Sequence, residues 1–278
     1  MKKLEIKRSA DSAAFLPKID LAKADAEFLI SVKSNSDIYE LWEGENCVGI
    51  AEIGYGTRTF LYIYIFHEYC KQGYAKRTVQ LVEQEILAGP GKDIVVCCRS
   101  DDPAAQGLLA ALGYEKWYES DCMHYCGPAF DLPELPVRPY RDKDYDIAHA
   151  FYAEAFHRMR ISVGYFPDSI PEAPSEAMRA NWNKTADERL VYIENDVPVA
   201  YAHVEGCEIS SVSVKTEKQG QGIGRQFVKH IVNLLRSRGY EEITLYCVVG
   251  NGKARKLYDS LGFEKIHRNT YAIKRLKD

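Results

Sequence analysis

The sequence predicts a mixed α/β protein, with helices laid against a mixed sheet, in which one strand–loop–helix design is used twice. Three observations predict it. Val212 and Val214 end a β-branched stretch, a polar loop follows with Gly220, Gly222 and Gly224, and apolar residues then recur at helical spacing at Phe227, Ile231, Leu234 and Leu235. A second apolar stretch, Ile243 to Val249, feeds a short amphipathic segment with Asn251 at its polar start and Gly262 at its stop. The same order occurs earlier, where Cys70-Lys-Gln-Gly73-Tyr-Ala75 opens a segment carrying Val79, Val82 and Ile86 on one face, with Ile94 to Cys97 behind it.

A constant offset links the two halves. Gly73 and Gly222, Ala75 and Gly224, Asp102 and Asn251, Ala105 and Ala254, Gly113 and Gly262, and Tyr114 and Phe263 are each 149 positions apart. One offset held over about forty residues is an internal duplication. The prolines at 128, 133, 136 and 139 mark the join. The expected organisation is therefore a first domain over 1–127, a linker over 128–136 and a second domain over 137–278.

In chain order, Leu4 to Lys7 reads as a strand, Asp11 to Lys33 as helical, and Ile38 to Trp42, Val48 to Ile53 and Phe60 to Phe66 as strands. Gly44-Glu-Asn46 and Gly54 to Thr57 supply the turns between them. In the second half Val137 to Tyr140 reads as a strand, Asp144 to Arg158 as a helix, and Leu190 to Glu194 with Val197 to Glu205 as a hairpin around Asn195-Asp196. Between Arg158 and Leu190 lies extra length absent from the first half, with Tyr165, Phe166, Asp168, Glu172, Glu176 and Trp182 among three prolines. Aromatics with carboxylates would suit a cationic amine that bears an apolar part, and the stretch reads at least as well as a solvated loop.

The glycine loop is the first chemical signal. Glycines let the backbone take positive φ and approach a ligand closely, so N–H groups at a helix start converge on an anion with the helix dipole behind them. A P-loop is excluded because no Gly-Lys-Ser/Thr follows, and a dinucleotide fingerprint is excluded because Arg225 and Phe227 stand where glycine is needed.

The remaining pattern, Gln219-x-x-Gly222-x-Gly224, resembles the pyrophosphate loop of the GNAT (Gcn5-related N-acetyltransferase) superfamily. Asn251-x-x-Ala254-x-x-x-Tyr258 followed by Gly262-Phe263 resembles the second acetyl-CoA motif of the same family, with every signature position occupied. The resemblance implies two tandem GNAT acyl-CoA N-acyltransferase folds, with acetyl-CoA as co-substrate in the second. It implies that the backbone of Val212, Ser213 and Val214 meets the pantetheine and that Gln219, Gly220, Gln221, Gly222, Ile223, Gly224 and Arg225 form the pyrophosphate loop. Asn251 and Ala254 then accompany the pantetheine arm, and Tyr258 is the general acid toward the departing thiolate.

Glu208 lies 219 − 208 = 11 residues before Gln219, a spacing that matches the general base of the histone acetyltransferase branch of the family. By alternation Glu208, Ser210, Val212 and Val214 share a face unless a bulge intervenes. His203 and Glu205, on the neighbouring strand, are rival bases acting through water. Under the 149-residue offset Gln219 corresponds to Cys70, Tyr258 to Leu109 and Glu208 to Thr59, so the first copy has lost the reactive groups and is expected to be a scaffold, with weak residual cofactor binding at the retained Gly73 and Ala75 as the open alternative. Direct attack in a ternary complex needs no nucleophile, and nothing beside Cys207 or Cys247 in sequence argues for an activated thiolate.

Composition sets the remaining bounds. The net charge of −4 gives no global field for nucleic acid or an anionic membrane. The opening Met-Lys-Lys-Leu-Glu-Ile-Lys-Arg lacks a signal core, and the longest apolar run, Phe60 to Phe66, is far short of a span, so a cytoplasmic protein is expected. Eight dispersed cysteines without a Cys-x-x-Cys pair read as reduced thiols. Cys122, His124 and Cys126 alternate onto one strand face without a fourth ligand in view, and no metal is expected. The expected partner is a small-molecule or peptide amine, the expected state monomer or homodimer, and the rival reading is a non-catalytic acyl-CoA sensor.

Overall fold

The computed structural model describes residues 2–56 and 58–277; Thr57, the last residue of the second predicted turn, lies outside them. Two compact units are present: Met1–Ser120 with His267–Asp278, and Asp121–Ile266. These units do not follow the sequence-expected divisions at 127 and 137, because residues 121–127 belong to the second and the last dozen to the first.

The first unit runs β1 (Leu4–Arg8), α1 (Ala26–Ser34), β2 (Ile38–Glu43), β3 (Asn46–Gly54), β4 (Arg58–Ile65), α2 (Tyr74–Ala88), β5 (Asp93–Arg99), α3 (Pro103–Ala111) and the first part of β6 (Glu115–Tyr125). The helix expected over Asp11 to Lys33 is broken. Pro17 sits inside a short 3-10 segment, Ser12–Lys18, and α1 starts only where the Asp25 side chain accepts from the amides of Glu27 and Phe28.

The second unit adds β7 (Val137–Pro139), α4 (Tyr145–Ser162), α5 (Glu176–Lys184), β8 (Arg189–Glu194), β9 (Val197–Glu205), β10 (Glu208–Val214), α6 (Ile223–Ser237), β11 (Ile243–Val248) and α7 (Gly252–Leu261). Asn195 and Asp196 both take positive φ, 49° and 64°, as the tight turn between β8 and β9 requires. The extra length expected as loop contains α5, whose start Ser175 caps through the Met178 amide. A last strand, β12 (Glu264–Arg275), then pairs Asn269 to Arg275 antiparallel with β5 of the first unit.

Within the first unit the strand order is β1-β2-β3-β4-β5-β12-β6, and within the second β6-β11-β10-β9-β8-β7. In the second unit the two faces of the sheet carry different cores. One face holds Ile209, Leu245 and Cys247 under Ile223, Phe227, Ile231 and Leu235 of α6 and Tyr258 and Leu261 of α7. Phe227, Ile231 and Leu235 are fully buried at i, i+4 and i+8, each contributing about 1.5–3 kcal/mol of burial. The other face carries Val191 and Tyr201 under Tyr145, Ala148 and Phe151 of α4 and Trp182 of α5.

Candidate active site

The site is built where β10 leaves β11. The two strands run parallel, and their pairing comprises Glu208 with Thr244 and Ile209 with Leu245. Beyond Ile209, β10 stays bonded to β9, but its register shifts between Ser210 and Ser213, and Ser211 takes φ +55°. Positive φ on a residue with a side chain costs about 1–3 kcal/mol, and such strain persists only where its surroundings enforce it. The result is a wedge between Ser210–Val214 and the end of β11, opening toward the C-terminal ends of both strands. There α6 begins at Gly222 and α7 at Asn251.

The bulge also re-aims side chains. Ser210 faces His203 across the hairpin on the α4 side of the sheet, with its Oγ 3.3 Å from His203 Nδ1. Past the bulge Val212 and Val214 pack into the α6 core, while Ser213 is buried opposite Tyr201. Glu208 and Ser210 therefore look toward α4, and Val212 and Val214 look toward α6. The four do not share one face, because the bulge inverts the alternation midway.

The predicted loop residues gather at the start of α6. Gln219 is fastened back to the strand end, its Nε2 donating to the Val214 carbonyl at 3.0 Å, and Gln221 likewise donates to the Glu217 carbonyl. Gly220 and Gly222 take φ of 76° and 84°, and Gly222 is the helix N-cap. Gln226 donates to the Gly222 carbonyl, so the amides of Ile223, Gly224 and Arg225 precede the helix's own bonding and point along its axis. A Cβ on Gly224 would stand 3.4 Å from Val214 Cγ2, an ordinary contact, which fits the alanine at Ala75 in the first half. The Arg225 guanidinium holds the Ser260 side chain on α7, so at this position only the backbone faces the loop.

On α7, the Asn251 side chain accepts from the Ala254 amide and caps the helix. Tyr258 packs in the α6-side core with Cys247 and Phe263. Burial pushes its phenol above the ordinary value, and no hydrogen bond ties its hydroxyl among the described residues. Burial also pushes the Cys247 thiol up to about 11, which keeps it protonated near neutrality.

Three more titratable groups border Ser210 and Glu208. Glu208 pairs with Glu205 across the tight turn at Gly206. Burial, then the charge of Glu188, raises the Glu205 carboxyl. Burial, then Arg189, lowers the His203 imidazole, while Glu188 opposes them from 3.5 Å at Nε2. Glu188 belongs to the 3-10 turn Ala186–Glu188 that follows α5 and was not singled out by sequence. Trp182 of α5, expected in a loop, is buried and stacked on Tyr201 at 4.5 Å. Its signal was Ser175-Glu176 after Pro174, a helix start.

Residues 144–263, the segment that holds this wedge, match the Acetyltransferase (GNAT) family model. The C-terminal region is a GNAT acetyltransferase domain. Over 210 residues the chain is 37% identical to the mycothiol acetyltransferase of Thermobispora bispora, a match covering 65% of this chain and 65% of the relative. Among solved structures, a GCN5-related N-acetyltransferase from Sphaerobacter thermophilus shares the fold at a TM-score of 0.70 and 17% identity, over 99% of this chain and 96% of its own. A tandem GNAT protein from the clavulanic acid biosynthesis pathway shares it at 0.64 and 12% identity, over 99% of both chains.

The first half contrasts with the GNAT domain at the wedge. There β4 and β5 stay paired in parallel from Arg58–Asp93 through Tyr62–Cys97, and β3 and β4 keep one register throughout. Its glycine loop survives in shape, with Gly73 at φ 83° capping α2. Among the described residues no group of three or more His, Cys, Asp or Glu side chains is gathered for a metal, and His124 Nδ1 lies 2.9 Å from Glu242. No helix of the described residues is long and apolar enough to cross a membrane.

Proposed function

We propose that the C-terminal unit transfers the acetyl group of acetyl-CoA to a primary amine by direct attack in a ternary complex. The observation that carries this reading is the parting of β10 from β11 after Ile209 with a bulge at Ser211. It frees backbone groups of Val212 and the amide of Val214, whose carbonyl Gln219 holds, along a slot that ends at the α6 amides on one side and at Tyr258 on the other. A pantetheine arm fits such a slot as an extra strand would, and a pyrophosphate fits the α6 start. Tyr258, protonated and without a hydrogen bond, is suited to donate to the departing thiolate. The protonated Cys247 supports direct attack over an acetyl-cysteine intermediate.

The amine's proton leaves on the α4 side, where Glu208, Glu205 and His203 stand. The relatives' name, mycothiol acetyltransferase, makes their amine acceptor the first to try. In the first half the closed pairing of β4 with β5 supports a scaffold role. The test is CoA release from acetyl-CoA across amines, aminoglycosides and peptides, run for the wild type and Tyr258→Phe. Turnover with one acceptor class that collapses in the variant supports the reading. Tight acetyl-CoA binding without release for any acceptor would turn the protein into an acyl-CoA sensor.

A further inference from the structure

Resting on that reading, we infer that the acceptor's proton passes through the Ser210 hydroxyl to His203, and that Glu188 is the positioning residue that orients the imidazole. Ser210 is the first residue of β10 past its last pair with β11, so its side chain stands at the mouth of the wedge. It is the cross-strand partner of His203, and Oγ and Nδ1 are 3.3 Å apart. The His203 carbonyl, 3.4 Å from the same Oγ, is the competing acceptor. At the other end of the ring, Nε2 is buried and faces the Glu188 carboxylate at 3.5 Å, an ion-pair separation.

This order fixes the tautomer. With a carboxylate at Nε2 the neutral ring keeps its proton there and leaves the Nδ1 lone pair toward Ser210. As the acceptor ammonium approaches the thioester, Oγ gives its proton to Nδ1 and takes one from the nitrogen. The amine becomes the neutral nucleophile, the serine is unchanged, and the imidazolium is held by Glu188. Glu188, about half exposed, opens that end to solvent, where the proton leaves. Glu208, two residues back on the same face, lies beside Thr244 where the strands are still paired, which suits it to attract the ammonium before transfer.

The charged groups around His203 set its titration. Glu188 and Arg189 face it from the turn and from β8, Glu205 and Glu208 flank it along β9 and β10, and α4 turns His149 and Tyr152 into the same layer. Burial and Arg189 lower the imidazole and Glu188 raises it. Removing the Glu188 charge therefore lowers it further.

The experiment is the pH dependence of kcat/KM for CoA release in the wild type, His203→Gln, Ser210→Ala, Glu188→Gln and Glu208→Gln, with the amine that gives turnover in the release assay. Imidazole NMR titration of His203 runs in parallel on the wild type and Glu188→Gln. The inference expects an acid limb in the wild type that Glu188→Gln moves to lower pH in both rate and NMR. It expects His203→Gln to lose the limb with a drop of about 10²-fold or more, and Ser210→Ala to lose rate at an unmoved limb. Glu208→Gln should keep the limb and raise the acceptor KM. A wild type that turns over while His203→Gln keeps both limb and rate overturns the inference, as does a limb that vanishes in Glu208→Gln. A wild type that releases no CoA with any acceptor overturns the acetyl-transfer reading itself, and this inference with it.

Discussion

Ser211 breaks the strand at φ +55°, whereas Tyr62, its counterpart 149 residues earlier, remains in regular parallel pairing with Cys97. The two halves thus share a glycine loop but not a wedge. A loop with unbonded amides suits a phosphate, whereas the proposed seat of a pantetheine and thioester requires parted strands.

On the proposed acetyl-CoA reading one molecule per chain is expected, and isothermal titration should return a stoichiometry of one. Gly222→Ala should weaken that binding by about tenfold, because φ 84° costs any other residue about 1–2 kcal/mol and distorts the helix start. Gly73→Ala carries the same backbone strain at φ 83° and should lower stability while leaving the acetyl-CoA affinity unchanged. Two equivalent sites, or an affinity lost in Gly73→Ala, would contradict the scaffold role.

Tyr258→Phe should separate chemistry from folding. The hydroxyl has no hydrogen bond among the described residues to lose, so the variant should unfold within about 1 kcal/mol of the wild type and bind acetyl-CoA as tightly. Its kcat should fall by about 10²-fold, with KM little changed. Because burial holds the phenol above its ordinary range, no basic limb below about pH 10 should arise from this residue.

The glycine loop and the capped α7 were legible because they depend on local patterns: Gly222 needs a positive φ that only the adjacent residues fix, and Asn251 caps the start of α7 through the amide three residues further on. The face of each β10 residue was not. Alternation from Glu208 predicts one face through Val214, and the slip that divides them arises from pairing with β9 against a strand, β11, that pulls away. Glu188 was invisible for a related reason: it becomes His203's neighbour through the register of the β8–β9 hairpin, which pairs Arg189 with His203 and brings the end of the preceding 3-10 turn beside the ring. The strand Glu264 to Arg275 was equally beyond local pattern, since nothing in its residues says that β5 is its partner.

Asp144 supports the start of α4 and makes the second unit acid-sensitive. Burial pushes its carboxyl up, but the two-pronged bond from Arg138, at 2.7 and 2.8 Å, and the Arg141 amide outweigh burial and leave it below the ordinary value. A depressed carboxyl contributes stability above its unfolded pKa near 4, and that contribution is lost as pH falls through the folded value. Asp144→Asn should therefore cost about 2–3 kcal/mol at pH 7 and less as the pH drops below 4, measured by urea unfolding at each pH. An equal cost at pH 7 and pH 3 would show that Asp144 acts through packing alone.

The C-terminal strand should hold the first unit together. Asp25, 3% exposed, caps α1 and accepts from Asn269 Nδ2 at 2.6 Å, with His267 Nε2 at 3.0 Å from the same oxygen. Tyr271, further along β12, stacks on Tyr118 at 4.3 Å, and seven residue pairs join the strand to β5 from Asn269–Arg99 to Arg275–Asp93. Asp25→Ala removes a cap and strands two buried donors, an expected loss of about 3 kcal/mol. Asn269→Ala should cost less, about 1–2 kcal/mol, because it leaves Asp25 its helix amides and His267. Truncation after Ile266 exposes the whole edge of β5, and native-state hydrogen exchange should then show the β5 amides losing protection. Retention of that protection in the truncated chain would mean that β5 is held by β4 and α2 without its antiparallel neighbour.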